Sequence, residues 1–197
     1  MHDIGLSDVK AIMAAKGYQI MPEGQPNILG IRSANRQSNS YDDICWVWWT
    51  ENGVETAHNY TITTNPGFYY LQNPIAGTTG TAILVPGQYL GCWELGMHRG
   101  KQFALVQRGG PMSVYRDANR DTVLDYNPKT IVSGFWGLDG HYGSLEDTDI
   151  VDKFSAACQV WRYHEAHQAM MQEFKRLSGV YGFDKFTYSL TMQEYFI

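Results

Sequence analysis

The sequence predicts an α+β domain: a mostly antiparallel β-sandwich or barrel, with a helix at the N-terminus and one long helix near the C-terminus. Three observations predict it. Short runs rich in β-branched and aromatic residues recur between Gly, Pro, Asn and Asp. One late segment, 163–177, carries a helical period. Of 197 residues, 44% are hydrophobic and 18% charged, which suits one folded core without a disulfide or zinc staple.

In chain order, the first helix starts near Ser7, a plausible N-cap, carries Ile12, Met13 and Ala15, and stops at Gly17. Strands are expected at 28–32, 44–50, 59–63, 81–85, 103–107 and 112–116. Asn52-Gly53 reads as a hairpin turn, and Asn65-Pro66-Gly67 and Pro86-Gly87 as further turns. In the late helix Tyr163, Ala166, Met170, Met171, Phe174 and Leu177 form one apolar face, with Gly179 and Gly182 as stops. A last strand, 185–192, alternates Phe186, Tyr188 and Leu190 with polar residues. There is no repeat or linker. We expect an N-terminal helix and lead-in strand over 1–20, then a single domain over 21–197.

Charge and composition exclude several partners. A net charge of −5 argues against a nucleic-acid grip. No apolar run approaches the ~20 residues of a membrane span, so no membrane partner is expected. The N-terminus lacks the basic start and apolar stretch of a secretory signal, which predicts synthesis in the cytoplasm. Cys45, Cys92 and Cys158 form neither a CxxC site nor a disulfide framework; one disulfide with a leftover thiol stays open, and Cys45 and Cys92 read as buried strand thiols.

The chemistry concentrates in 134–161, GFWGLDGHYGSLEDTDIVDKFSAACQVW. His141 and Cys158 stand 17 positions apart. Cys158 follows small residues ahead of the long helix, where a nearby imidazole favours a thiolate and backbone N–H groups approach an oxyanion. Gly140 and Gly143 flank the histidine and permit close backbone approach. A packed core cysteine has the same local signature, so the residues alone leave both readings open.

His141-Tyr-Gly-Ser144, a spacer, and Ser155-Ala-Ala-Cys158-Gln-Val resemble the signature of the L,D-transpeptidase (YkuD-like) cysteine enzymes, a His-Gly-Thr-like motif followed by Ser-His-Gly-Cys-(Ile/Val)-Arg. The chain is more similar to phage and gut-bacterial relatives of that family, with His-Arg-Ala-Ser and Trp-Ser-Ala-Gly-Cys-Gln-Val motifs. Asn27-Ile-Leu-Gly-Ile-Arg32, Thr64-Asn-Pro-Gly67, Ala82-Ile-Leu-Val-Pro-Gly-Gln-Tyr89, Leu95-Gly-Met-His-Arg-Gly100, Val114-Tyr-Arg-Asp117 and Phe186-Thr-Tyr188 extend the likeness along nearly the whole chain. Three positions depart from it. Ala157 replaces the glycine before the cysteine, and is strained if that position needs a positive φ. Trp161 stands where the family has arginine, and Asp152-Lys-Phe154 replaces a Gly/Asn-Lys-Trp lead-in.

The resemblance implies a YkuD-type domain that attacks peptidoglycan stem peptides. Cys158 is the nucleophile and His141 the base, oriented by a backbone carbonyl. Ser155 joins the catalytic set and supports the loop. Ala157, Gly140 and Gly143 shape the oxyanion loop, and backbone N–H groups near Ala157 and Cys158 form the hole. Apart from the resemblance, Tyr142 and Ser144 adjoin the base and are candidates for shaping the cleft, and His98 and Arg99 read either as binders of substrate carboxylates or as a loop histidine and a surface arginine. No cofactor is implied. The partners are bacterial peptidoglycan and, alternatively, other phage virion proteins. Such an enzyme reaches the wall after phage lysis or from the virion. Hydrolysis and transpeptidation both remain open. The alternative is a catalytically degenerate structural or wall-binding component of a phage particle.

Other features have plainer readings. Asp117, Asn119, Asp121 and Asp125 space oxygen ligands like a calcium loop, but the glycine and terminal glutamate of such a loop are missing, so a polar turn is expected. His164 and His167 have the wrong spacing for a zinc helix and read as solvated. Trp46, Trp48 and Trp49 suggest a saccharide platform, although alternation puts Trp46 and Trp48 on one face and Trp49 on the other.

Overall fold

The computed structural model describes residues 4–196. Its elements in chain order are α1 (Leu6–Ala15), β1 (Asn27–Arg32), β2 (Asp43–Glu51), β3 (Val54–Thr63), α2 (Phe68–Gln72), β4 (Thr81–Leu84), β5 (Gly87–His98), β6 (Gln102–Gln107), β7 (Met112–Asp117), β8 (Val132–Gly134), β9 (Gly140–Tyr142), β10 (Gln159–Trp161), α3 (His164–Tyr181) and β11 (Lys185–Met192). The α+β class holds. Eight strands close into a barrel in the order β1-β11-β5-β6-β9-β10-β3-β2, and β4, β7 and β8 form a separate antiparallel sheet. Within the barrel only β1–β11 and β9–β10 pair in parallel.

Local chemistry explains most of these elements. Asn52 and Gly53 both take positive φ, 52° and 75°, the geometry of a two-residue hairpin between β2 and β3. On β2, Cys45, Val47 and Trp49 face the main core, while Trp48, with Trp46 beside it, packs under Val9 and Met13 of α1. The tryptophans are therefore packing residues and form no saccharide platform. α1 belongs to the same fold as the barrel. No strand lies over 16–20, so the expected lead-in strand is absent; residues 1–3 of that expected segment lie outside the described residues. α3 runs past Gly179 and ends at Gly182, which takes φ 71° at the C-cap. Its Met170, Met171, Phe174 and Leu177 are buried in the main core, as the periodicity predicts.

All three cysteines are free and buried. No helix among the described residues is long and apolar enough to cross a membrane.

Candidate functional site

The parallel pairing of β9 and β10 builds the site. Val160 registers with His141, and the Gln159 amide donates to Asp139 O at 2.9 Å. Cys158, one residue before β10, is thereby set beside Asp139, one residue before β9. Strand alternation sends Asp139 and His141 to one face. Both line a cleft of about 410 Å³ together with Cys158, His98 and Arg99. Its far wall comes from the small sheet, with Thr81 and Ala82 on β4 and Arg116 on β7; Phe135, Trp136 and Phe154 rim it.

A parallel pair needs a crossover, and here an irregular loop over 143–158 supplies it in place of a helix. The Gly67 amide donates to Ser155 O at 2.9 Å, and a Cβ at Gly67 would lie 2.0 Å from Asp152 O, so the Asn65-Pro66-Gly67 turn needs its glycine. Ser155 is fully buried. Its Oγ donates to Cys158 O at 2.9 Å and accepts from the Ala157 amide at 3.3 Å. Ser155 is a positioning residue for the cysteine loop, and it does not line the cleft. Its bond also occupies the Ala157 amide, an expected oxyanion donor. Ala157 sits at φ 143°, the strained region anticipated for a residue replacing glycine.

His141 is buried. Its Nδ1 lies 2.7 Å from the carbonyl oxygen of Tyr142, which only a protonated Nδ1 can satisfy, so Nε2 carries the lone pair. Nε2 is buried without a partner. Burial, with a contribution from His98, pushes the imidazole down to about 3, so the ring is neutral at physiological pH. The Cys158 thiol donates to Gly137 O at 3.5 Å rather than to His141. Burial, then the charge of Asp139, pushes it up to about 12. The resting pair is thus neutral thiol and neutral imidazole, which corrects the expected thiolate.

His98 belongs to the cleft in a way the sequence did not disclose. Its ring stacks on His141 with centroids 4.1 Å apart and planes 15° from parallel. Its Nδ1 lies 2.7 Å from Asp139 Oδ2. Asp139 Oδ1 in turn accepts the Gln107 amide at 2.8 Å. Gln107 Oε1 accepts the amides of Trp136 and Leu138 at 2.9 and 3.0 Å, which organises the whole 136–139 segment. Asp139 was legible in principle, two residues before His141 and hence on the same strand face. Gln107 left no local signal, and Arg116 was visible only within the Val114–Asp117 likeness, with no role attached.

No family model, curated protein or solved structure matches the chain.

Other expected site residues fall elsewhere. Arg99 is exposed at the cleft wall. Tyr142 faces away from the cleft and packs on His164 and His167, with ring centroids 4.5 and 5.7 Å away. Alternation forces this, because Tyr142 follows His141 directly. The Ser144 Oγ accepts the Glu146 amide at 3.0 Å in the crossover loop, outside the cleft. Gly140 and Gly143 also lie outside it. A Cβ at Gly140 would crowd Trp161 and Trp93 at 3.2 and 3.3 Å, and one at Gly143 would lie 2.3 Å from the Tyr41 hydroxyl, so both serve packing rather than an oxyanion. His167 is fully buried, 3.4 Å from Gly140 O, and is not the solvated residue expected. Trp161 is a core residue, so no arginine contact has a counterpart there. In the Asp117–Asp125 turn the Asn119 amide nitrogen donates to Asp121 and Asp125 at 3.0 and 2.9 Å, and Asp117 Oδ2 accepts the Asp125 amide at 3.0 Å. Among the described residues no three acidic, His or Cys side chains converge as a metal set.

Proposed function

We propose that this protein is a cysteine-dependent acyl-transfer enzyme acting on peptidoglycan stem peptides, a YkuD-like lysin or virion-associated wall enzyme of a phage. The observation that carries the reading is the His141 tautomer. A backbone carbonyl holds Nδ1–H and leaves the buried Nε2 of a neutral imidazole without a protein partner, on a residue that lines the same cleft as Cys158. A neutral imidazole is the form that accepts a thiol proton as the sulfur attacks a carbonyl. Arg99 and Arg116 line the same cleft and offer cations to the carboxylates of a stem peptide. The substrate class and the phage setting rest on the motif resemblance.

The test is a sacculus digest. Purified peptidoglycan is incubated with wild type and with Cys158→Ala, and muropeptides are identified by mass spectrometry. New cleaved or cross-linked stem peptides with wild type only are expected, and their masses separate hydrolysis from transpeptidation. Identical profiles from two folded proteins across several wall types would defeat the reading.

A second reading draws on the raised thiol, its bond to Gly137 O and the strained Ala157. It is a structural or wall-binding protein that keeps the fold without the activity. Retention of Cys158→Ala on sacculi, with no turnover by wild type, is its signature.

A further inference from the structure

We propose that His98, held by Asp139, is a second catalytic histidine: it protonates the leaving amine during acylation and deprotonates the attacking water during deacylation, while His141 exchanges the proton of Cys158. The inference rests on the cysteine reading above and assigns a residue that the sequence marks only as a candidate substrate contact.

The geometry distinguishes the two rings. A neutral carbonyl orients His141, which compensates a charge on that ring less than a carboxylate would. A carboxylate oxygen 2.7 Å from Nδ1 orients His98. A carboxylate acceptor requires Nδ1–H on His98 and compensates a second proton at Nε2. His98 Nε2 is therefore free to cycle between N–H and lone pair. Asp139 is itself held by the Gln107 amide, and the side chains of His98 and Asp139 are each only 12% exposed, so the pair is built into the cleft wall.

Stacking couples the two proton movements. Rings 4.1 Å apart cannot both carry charge without strong repulsion, so a proton arriving on one favours departure from the other. The steps balance. In acylation the thiol proton passes to His141 Nε2, sulfur bonds the carbonyl carbon, the C–N bond breaks, and the amine nitrogen takes the proton of His98 Nε2. In deacylation water bonds the thioester carbon, its proton passes to His98 Nε2, the C–S bond breaks, and sulfur recovers the proton from His141. Both histidines return to their starting states.

p-Nitrophenyl acetate separates the roles: its leaving phenolate needs no proton, so the Nε2 proton of His98 passes to solvent as His141 takes up the thiol proton, and deacylation still needs His98 as the base. Burst kinetics give the acylation rate, steady-state turnover gives deacylation, and intact mass gives the acetyl-enzyme. His98→Gln is expected to leave the burst within about threefold, slow turnover about 100-fold and accumulate acetyl-Cys158. His141→Gln is expected to slow the burst itself about 100-fold. Asp139→Asn keeps the ring and the stack but offers His98 Nδ1 an N–H, which moves the proton to Nε2; it is expected to slow turnover about 100-fold or more with the burst kept. It also serves if His98→Gln fails to fold. Equal loss of burst and turnover in these variants, or loss of neither, overturns the inference and leaves the cysteine reading standing. Absence of acetyl-Cys158 in wild type removes both.

Discussion

Ala157 and Cys158 carry the local strain and the local charge problem of this site. Ala157 holds φ 143° because Ser155 and the β9–β10 pairing fix the loop on both sides of it. Such a position costs an alanine about 1–3 kcal/mol, whereas glycine adopts it freely. Ala157→Gly is accordingly expected to stabilise the protein by about 1 kcal/mol, read as a raised denaturation midpoint. Cys158 is a neutral thiol in the resting cleft. Its alkylation by iodoacetamide is expected to be slow at pH 7 and to climb about tenfold per pH unit up to pH ~10, without a plateau. A plateau near neutrality would reveal a thiolate pair and contradict the resting state described here. Both predictions concern residues named from the sequence. The strain at Ala157 was legible as a departure from glycine. The thiol's state was not, because burial and the Asp139 charge come from elements remote in sequence.

Among the elements, α3 and β9 meet at His167. The periodicity of α3 was visible in its apolar positions, but His167 read as polar surface. The helix instead lays it against the Gly140 carbonyl, between Tyr142 and Trp161, and burial pushes it down to about 4. The folded value lies below the unfolded one of about 6.5, so the unfolded chain binds the proton first as pH falls. The His167 contribution to stability is full above about pH 6.5 and is lost as pH drops toward 4, by about 1.4 kcal/mol per unit and about 3 kcal/mol in all. Comparing wild type with His167→Leu by denaturant titration across that window should show the acid loss diminished by this amount. Asp43, raised to about 6 by burial, acts in the opposite sense, and its contribution is common to both proteins. The three-residue strands β8, β9 and β10 escaped sequence reading for a related reason. Each is too short for a period, and pairing alone defines it. β5, the longest strand, was hidden by Gly87, Gly91 and Gly96, which break its alternation.

Across the whole molecule, the barrel and the small sheet must stay in register for the cleft between them to exist. A fully buried polar chain ties them. Arg32 on β1 donates to Thr64 Oγ1, Thr64 O and Leu84 O, each at 2.9 Å, and Thr64 Oγ1 donates to Asp43 at 2.7 Å. Leu84 belongs to β4, so the guanidinium clamps the small sheet onto the barrel. Thr64→Val removes the relay and leaves Arg32 Nε and Asp43 Oδ2 each short of a partner in a site closed to water. A loss of about 2–3 kcal/mol in denaturant unfolding is expected. A loss near zero would mean that the clamp does not hold the sheets.

The sequence by itself determined the α+β class, the hairpin at Asn52-Gly53, the apolar face of α3 and most long strands. These follow from period and turn chemistry, both of which act over a few residues. Only the tertiary structure decided the closure of the barrel, the burial of His167, and the arrival of His98 beside His141. Those outcomes depend on strand register and on charges and rings brought together from distant segments, and no local spacing encodes them.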